Sequence, residues 1–300
     1  RYYRFFHFIY FCINNYTFFI IVFKSFYLFS IIGIYNAKIN NFINSVLFQK
    51  SMKNTIDKIK SMKGKEKISM LTAYDCSTAR YMDEAGIDII LIGDSLGMVV
   101  LGYGNTLSVT IEDMMRHTGA VVRGVKNALI VADLTVGSYD DNESAALNAE
   151  VLIKSGADTV KLENAPEMAK FLVDNKIEVM GHVGLTPQTV LDFKVQGKEE
   201  EAANKIIKMA KDLEEAGCYC IVLEGIPLQL GKKITEMLSV PTIGIGAGAY
   251  CDGQVLVVND MLGLYYKFTP KFVKKYAHLA DDMKKAFQDY IKDVKEEKFP

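Results

Sequence analysis

The sequence predicts an α/β fold, a (β/α)8 TIM barrel, on three observations. Short apolar runs alternate with amphipathic helical stretches from Ile68 onward. Several runs are hydrophobic without interruption, as parallel strands covered on both faces must be. The alternation fills about 230 residues, close to the roughly 250 such a barrel needs. An open doubly wound sheet fits less well, because the first run ends Thr72-Ala73-Tyr74-Asp75 with no glycine-rich phosphate loop behind it.

The predicted strands lie in the runs 68–75, 87–95, 127–135, 158–164, 177–185, 218–226, 240–248 and 253–263. Helical patterns over 110–125, 142–156 and 199–217 separate some of them and stop at Gly124, Gly156 and Gly217. The seventh and eighth runs are too close for a full helix, so an irregular barrel is expected there. A final helix is expected from about Lys271 to Glu297, strongly charged and solvated on one face. With no low-complexity linker inside it, 52–300 reads as one catalytic domain.

Of 300 residues, 50% are hydrophobic and 24% charged, with a net charge of −1. That balance argues against nucleic-acid or acidic-lipid partners, and a small anionic substrate needs only a local positive group. Five cysteines, an odd number without framework spacing, read as reduced, buried thiols of a cytoplasmic protein. Cys218-x-Cys220 is the spacing of a possible metal pair, but its strand context favours core packing. Residues 1–51 are crowded with Phe, Tyr and Ile and hold no acidic residue, and the apolar run from Thr17 to Tyr35 is near the length of a membrane span. A signal anchor competes with translated sequence upstream of a true start at Met52. The second is favoured, so 1–51 is expected to be non-native or disordered, with no membrane association.

In a barrel of this kind, chemistry sits at the C-terminal ends of strands. The polar residues there are Asp75, Asp94-Ser95, Asp133, Lys161 with Glu163, His182 and Glu224, on runs one to six. Burying an uncompensated carboxylate costs several kcal/mol, so acidic groups at matching depth on successive strands want a cation. Alternation puts Ile90, Ile92 and Asp94 on one face, and likewise Leu129, Val131 and Asp133; Thr159, Lys161 and Glu163; and Cys220, Val222 and Glu224. If those faces look inward, carboxylates converge at the barrel mouth. An oxygen-only site suits Mg²⁺, and no Cys/His cluster favours zinc. Each residue also has a plainer reading: Asp94 and Asp75 as helix caps, His182 as a core histidine, Lys161–Glu163 as an ion pair. IGIGAG (243–248) could serve close backbone packing or ligand approach.

The motifs TAYD (72–75), IGDSLGMVVLGYGNTLSVT (92–110), VADL (131–134), VKLEN (160–164), GHVGLTPQ (181–188), KVQGK (194–198), VLEGIP (222–227) and IGIGAG…DGQVLVVND (243–260) resemble the ketopantoate hydroxymethyltransferase family. The match runs from about Met52 to the C-terminus, and GDSLGM, GHVGLTPQ and IGIGAG…DGQ together are highly specific. The resemblance implies a barrel of the phosphoenolpyruvate/pyruvate type. It implies that Asp94, Asp133 and Glu163 hold Mg²⁺, directly or through water, against the 2-oxo and carboxylate oxygens of 3-methyl-2-oxobutanoate. Glu224 would remove the C3 proton, Ser95 and Lys161 would bind the substrate carboxylate, and His182 would add a hydrogen bond. The co-substrate would be 5,10-methylenetetrahydrofolate, the product 2-dehydropantoate, and the assembly a homo-oligomer, a decamer by family resemblance.

The sequence departs from the family pattern at Thr135, where proline is usual, at a shortened segment between Phe193 and Lys194, and in lacking the family's acidic-His-Ser-Phe tail. A carbon–carbon lyase or phosphonopyruvate-type mutase on a related barrel is the alternative enzyme. Such lyases use a mouth-loop cysteine as general acid; no cysteine follows strands two to five, although Cys76 follows strand one.

Overall fold

The computed structural model describes residues 53–189 and 194–300, together with the backbone of 7–13 and 16–22. Two compact units divide at Met52. In the first, β1 (His7–Ile13) pairs antiparallel with β2 (Tyr16–Val22). The rest of 1–51, including most of the Thr17–Tyr35 run and the question of a non-native leader, lies outside the described residues. No described helix is long and apolar enough to cross a membrane.

The second unit is a closed parallel barrel: β3 (Ile68–Thr72), β4 (Ile89–Ile92), β5 (Leu129–Asp133), β6 (Thr159–Glu163), β7 (Val179–Gly184), β8 (Cys220–Glu224), β9 (Thr242–Ile245) and β10 (Gly253–Leu256). The strands follow one another around it, with β10 closing on β3. Each falls inside one predicted run. Helix α1 (Ile56–Met62) precedes β3, and Ile59 and Met62 pack into the apolar cluster that fills the barrel with Met70, Leu91, Val131 and Val222. The outer helices are α2 (Cys76–Glu84), α4 (Ile111–Val122), α5 (Asn142–Lys154), α6 (Pro166–Asp174), α7 (Glu200–Glu215) and α8 (Leu228–Met237), with the short α3 (Leu96–Val99) and α9 (Val258–Met261) after β4 and β10. They bury Ala79, Met114, Leu152, Leu172 and Leu213 against outward-facing strand residues such as Ile130, Val160 and Leu162. As expected, no helix separates β9 from β10.

Local chemistry sets the helix starts. Asp75 caps α2 by accepting from the Ser77 and Thr78 amides, both at 2.9 Å, which is the cap reading of that residue. Thr110 and Asp113 form a reciprocal capping box on α4. The final helix, α10, spans Leu279–Lys295 rather than starting near Lys271. Residues 264–278 instead lead past the barrel mouth, tied by Tyr276 N–H to Met261 O at 2.8 Å. None of α10 is buried, including Met283, Phe287, Tyr290, Ile291 and Val294 at helical spacing. Solvent therefore reaches both faces, not one.

Aspartates clamp the N-terminal end of the barrel. Asp88 accepts from Ser69 N–H at 2.8 Å, Asp158 from Ile130 N–H at 2.9 Å, and Asp252 from Thr242 N–H and Lys63 Nζ, both at 2.9 Å. Cys218 and Cys220 are buried free thiols, as their strand context predicts, and burial pushes Cys218 up to about 12. Cys251, in the turn before β10, is buried too, whereas Cys76 at the start of α2 is only partly buried, against the expectation.

At the opposite end, Gly184 (φ 101) faces Glu224 in the β7–β8 register, and a Cβ there would collide with the Glu224 carbonyl oxygen. Strain and overpacking together predict that Gly184→Ala lowers stability by about 2–4 kcal/mol, measurable by urea unfolding.

Candidate active site

The strand ends form one charged cluster at the mouth. Asp133 and Lys161 are cross-strand partners, as are Glu163 and His182. Lys161 Nζ lies 3.0 Å from Asp133 Oδ1 and 3.4 Å from His182 Nδ1. The His182 ring sits between two carboxylates, Nδ1 at 3.2 Å from Glu163 Oε1 and Nε2 at 3.3 Å from Glu224 Oε2. Asp94 donates its backbone N–H to Asp133 Oδ2 at 3.1 Å. Ser95 Oγ pairs with Tyr74 Oη at 2.9 Å. Asp94, Asp133, Lys161, Glu163 and His182 are buried, while Glu224 keeps 18% of its side chain exposed. All of them line a cavity of about 430 Å³ with Ser95.

Alternation is right for three strands and wrong for one. Leu129, Val131, Cys220 and Val222 pack inside the barrel, as the inward reading requires, and Val160 and Leu162 point outward beside Lys161. On β4, however, Ile89 and Leu91 fill the interior, whereas Ile90 and Ile92 pack under the helices. Asp94 therefore does not share an inward face with them. The strand ends at Ile92, and the turn through Gly93 and Ser95 into α3 brings Asp94 to the mouth. The Asp94 side chain does not cap that helix; its Oδ2 accepts from Gln188.

Gln188 is a site residue that strand-end reasoning missed, because it lies in the turn after β7. Its Nε2 donates to Asp94 Oδ2 at 2.9 Å and to Leu134 O at 2.8 Å, and its N–H reaches Glu163 Oε2 at 3.2 Å. Its Oε1 accepts from Tyr139 Oη at 2.6 Å. The signal was GLTPQ: a glutamine among residues otherwise suited to a buried turn. Asp260, on α9, was missed for a different reason, since the strand-end rule was not carried to the eighth run. In IGIGAG, Gly244 and Gly248 approach Cys251 and Leu228, and Gly246 lines the cavity beneath Phe272. Close packing accounts for two of the three. Of the shortened segment, Phe193 lies outside the described residues.

Electrostatics explain why the cluster holds together. Burial, and then Asp133, push the Asp94 carboxyl up to about 8, against Lys161. Burial also raises Asp133, although Lys161 opposes it. Desolvation would lower Lys161, but Asp133, Glu163 and Asp94 raise it overall. Burial would likewise raise Glu163, but His182, Lys161 and the Gln188 amide together hold it low. Burial and Lys161 would lower His182, yet Glu163 and the Glu224 contact bring it to about 9.

Hard carboxylate oxygens without soft ligands suit Mg²⁺. Asp133 Oδ1 is sealed from solvent and, although it faces Lys161, takes no well-aligned hydrogen bond. Both Glu163 oxygens already have partners. Among the described residues no three His, Cys, Asp or Glu side chains converge as a complete metal cage, so the fit is to an ion held by the two aspartates that keeps several waters.

A buried acid–base cluster at the C-terminal mouth of a closed parallel barrel defines an enzyme of the TIM-barrel class. The described structure shares its fold with a phosphoenolpyruvate phosphomutase from Streptomyces platensis subsp. rosaceus (TM-score 0.56, 11% identity, 80% of this chain and 88% of that one). It is also similar in fold to a 2,3-dimethylmalate lyase of the PEP mutase/isocitrate lyase superfamily (TM-score 0.54, 14% identity, 82% and 89%). Sequence relationship is much closer elsewhere. A 3-methyl-2-oxobutanoate hydroxymethyltransferase of Enterococcus faecalis is 55% identical over 258 residues, 83% of this chain and 94% of that protein. Its namesake in Syntrophus aciditrophicus is 54% identical over 260 residues, 84% and 96%. Residues 53–300 match the ketopantoate hydroxymethyltransferase family, and the chain belongs to it. It is a hydroxymethyltransferase by that membership, not a lyase or mutase.

The raised His182 value has a consequence for stability. An unfolded imidazole titrates near 6.5, so the stabilisation is complete below that pH and is lost as pH rises through 9. Asp94, also raised, contributes with the same sign, lost as pH climbs through 8. The thermal midpoint of the cation-free protein is expected to fall from pH 6.5 to 9, and His182→Gln to flatten that slope, in scanning calorimetry.

Proposed function

We propose that the chain transfers a hydroxymethyl unit from 5,10-methylenetetrahydrofolate to C3 of 3-methyl-2-oxobutanoate, giving 2-dehydropantoate for pantothenate biosynthesis in the cytoplasm. The relatives' names support hydroxymethyl transfer to 3-methyl-2-oxobutanoate, and the folate donor rests on the resemblance of the motifs to the family. The observation that carries its assignment to these residues is the single cavity in which Asp94, Asp133, Lys161, Glu163, His182 and Glu224 meet.

Asp94 and Asp133 would hold Mg²⁺, with Glu163 acting through a water. The ion's contribution is Lewis-acid withdrawal of charge from the 2-oxo group, which makes the neighbouring C–H more acidic. Glu224 is the base for the C3 proton: it is partly open to the cavity, whereas Asp94, Asp133 and Glu163 are buried. His182, protonated at neutral pH, faces Glu224 with its Nε2 in an ion-pair contact without an aligned hydrogen bond, and orients it by charge. Lys161 and Ser95 take the substrate carboxylate, Ser95 steadied by Tyr74. In the whole exchange one C3–H bond breaks and one C3–C bond forms. The donor loses its methylene carbon and becomes tetrahydrofolate, and one water supplies the hydroxyl oxygen and returns hydrogen to the folate.

A homo-oligomer, a decamer by family resemblance, is in keeping with the exposed apolar residues of α10. Light scattering of the purified protein tests it, and a monomer would refute it.

Two measurements test the chemistry. Glu224→Gln should slow exchange of the substrate C3 hydrogen with solvent by about 10²- to 10⁴-fold while Mg²⁺ affinity persists. Loss of Mg²⁺ binding would instead reassign the residue. Because burial and Asp133 hold Asp94 at about 8 in the cation-free site, and burial raises Asp133 as well, Mg²⁺ binding at pH 7 should release protons. Affinity should then rise with pH and level off above 8, as titration calorimetry in two buffers of different ionisation enthalpy would show.

A further inference from the structure

One acidic side chain of the cavity has no part in that chemistry. Asp260, on the short helix α9 after β10, lines the cavity, is 8% exposed, and its Oδ1 accepts no hydrogen bond. Its position is well fixed: Val258 N–H donates to Thr72 Oγ1 at 3.0 Å, and Asp260 N–H to Val257 O at 3.1 Å. Burial pushes its carboxyl up to about 6, with Lys275 opposing. A rigidly held, unsatisfied carboxyl is expensive and asks for a partner that brings N–H donors.

The 2-oxo acid cannot be that partner. It is an anion presenting only oxygen acceptors, and Asp260 would repel it. The cavity that Asp260 lines also has apolar and aromatic wall, with Tyr265, Phe268, Phe272, Val257 and Val273 among its lining. A planar heterocycle packs on such surfaces. Among the reactants, the donor's pterin ring combines a flat face with two adjacent donors, the ring N–H and the 2-amino group.

We propose that Asp260 is the specificity-determining residue for the one-carbon donor, accepting paired hydrogen bonds from the aminopyrimidinone edge of its pterin while Phe268 and Phe272 flank the ring. This deepens the folate reading above and rests on it.

The test uses the full-length, Mg²⁺-loaded protein and three readouts. Asp260→Asn should raise KM for 5,10-methylenetetrahydrofolate about 10- to 100-fold, the worth of hydrogen bonds to a charged acceptor. The KM for 3-methyl-2-oxobutanoate and the folate-independent C3–H exchange should stay within about twofold. On the unaltered protein, a tetrahydrofolate analogue lacking the 2-amino group should bind about tenfold more weakly than tetrahydrofolate, whether or not the variant folds. An unchanged folate KM in Asp260→Asn, equal affinity for the two folates, or a parallel loss of C3–H exchange would each overturn the assignment. If the unaltered enzyme exchanges C3–H yet makes no product with the folate, the donor reading itself has failed, and the proposal falls with it.

Discussion

The mouth of the barrel is organised by the compensation of buried charge. Four carboxylates, Asp94, Asp133, Glu163 and Glu224, face two cationic groups, Lys161 and His182, and the contacts alternate in sign across β5, β6, β7 and β8. Removing either cationic partner leaves desolvated carboxylates behind, which costs more than the pairs contribute. The excess of carboxylates leaves the cluster electrostatically incomplete, and burial answers by raising Asp94 and Asp133 toward their neutral forms. A divalent ion would complete it by a different route. Function and tension are thus located in the same few side chains.

Gln188 shows how the cluster is kept apart from the loops that carry it. One side chain and one amide reach Asp94, Glu163, Leu134 and Tyr139 at once. A neutral amide can bond a carboxylate without changing the count of charges, and its N–H groups fix geometry while favouring the ionised forms of Asp94 and Glu163. Tyr74 likewise fixes Ser95 from the end of the first barrel strand.

Much of this was legible in the residues. Uninterrupted apolar runs announce buried parallel strands, and Asp133, Lys161, Glu163, His182 and Glu224 stand out because a charge at a strand end must be paid for. Period-two reasoning failed at Asp94, since the strand stops two residues earlier and parity has no meaning in a turn. Gln188 was hidden because an uncharged amide in a loop carries no penalty that a pattern can detect. The start of α10 was misread because the charged, aromatic segment after Pro270 looks helical by composition but is drawn past the barrel mouth by contacts made with distant residues. The branched substrate came only from family motifs and the relatives' names, and the folate only from the family motifs.

The aspartates at the base of the barrel serve a separate purpose from the acids at its mouth. On β6 and the residue before it, Asp158 holds the Ile130 amide while Glu163 faces His182. Five residues of extended chain put about 16 Å between them, beyond the 7–10 Å over which substitutions usually couple. The barrel is therefore modular along its own axis. Changes that toughen its floor and changes that retune its mouth combine with little epistasis, which leaves the catalytic rim free to vary while the scaffold beneath it stays constant.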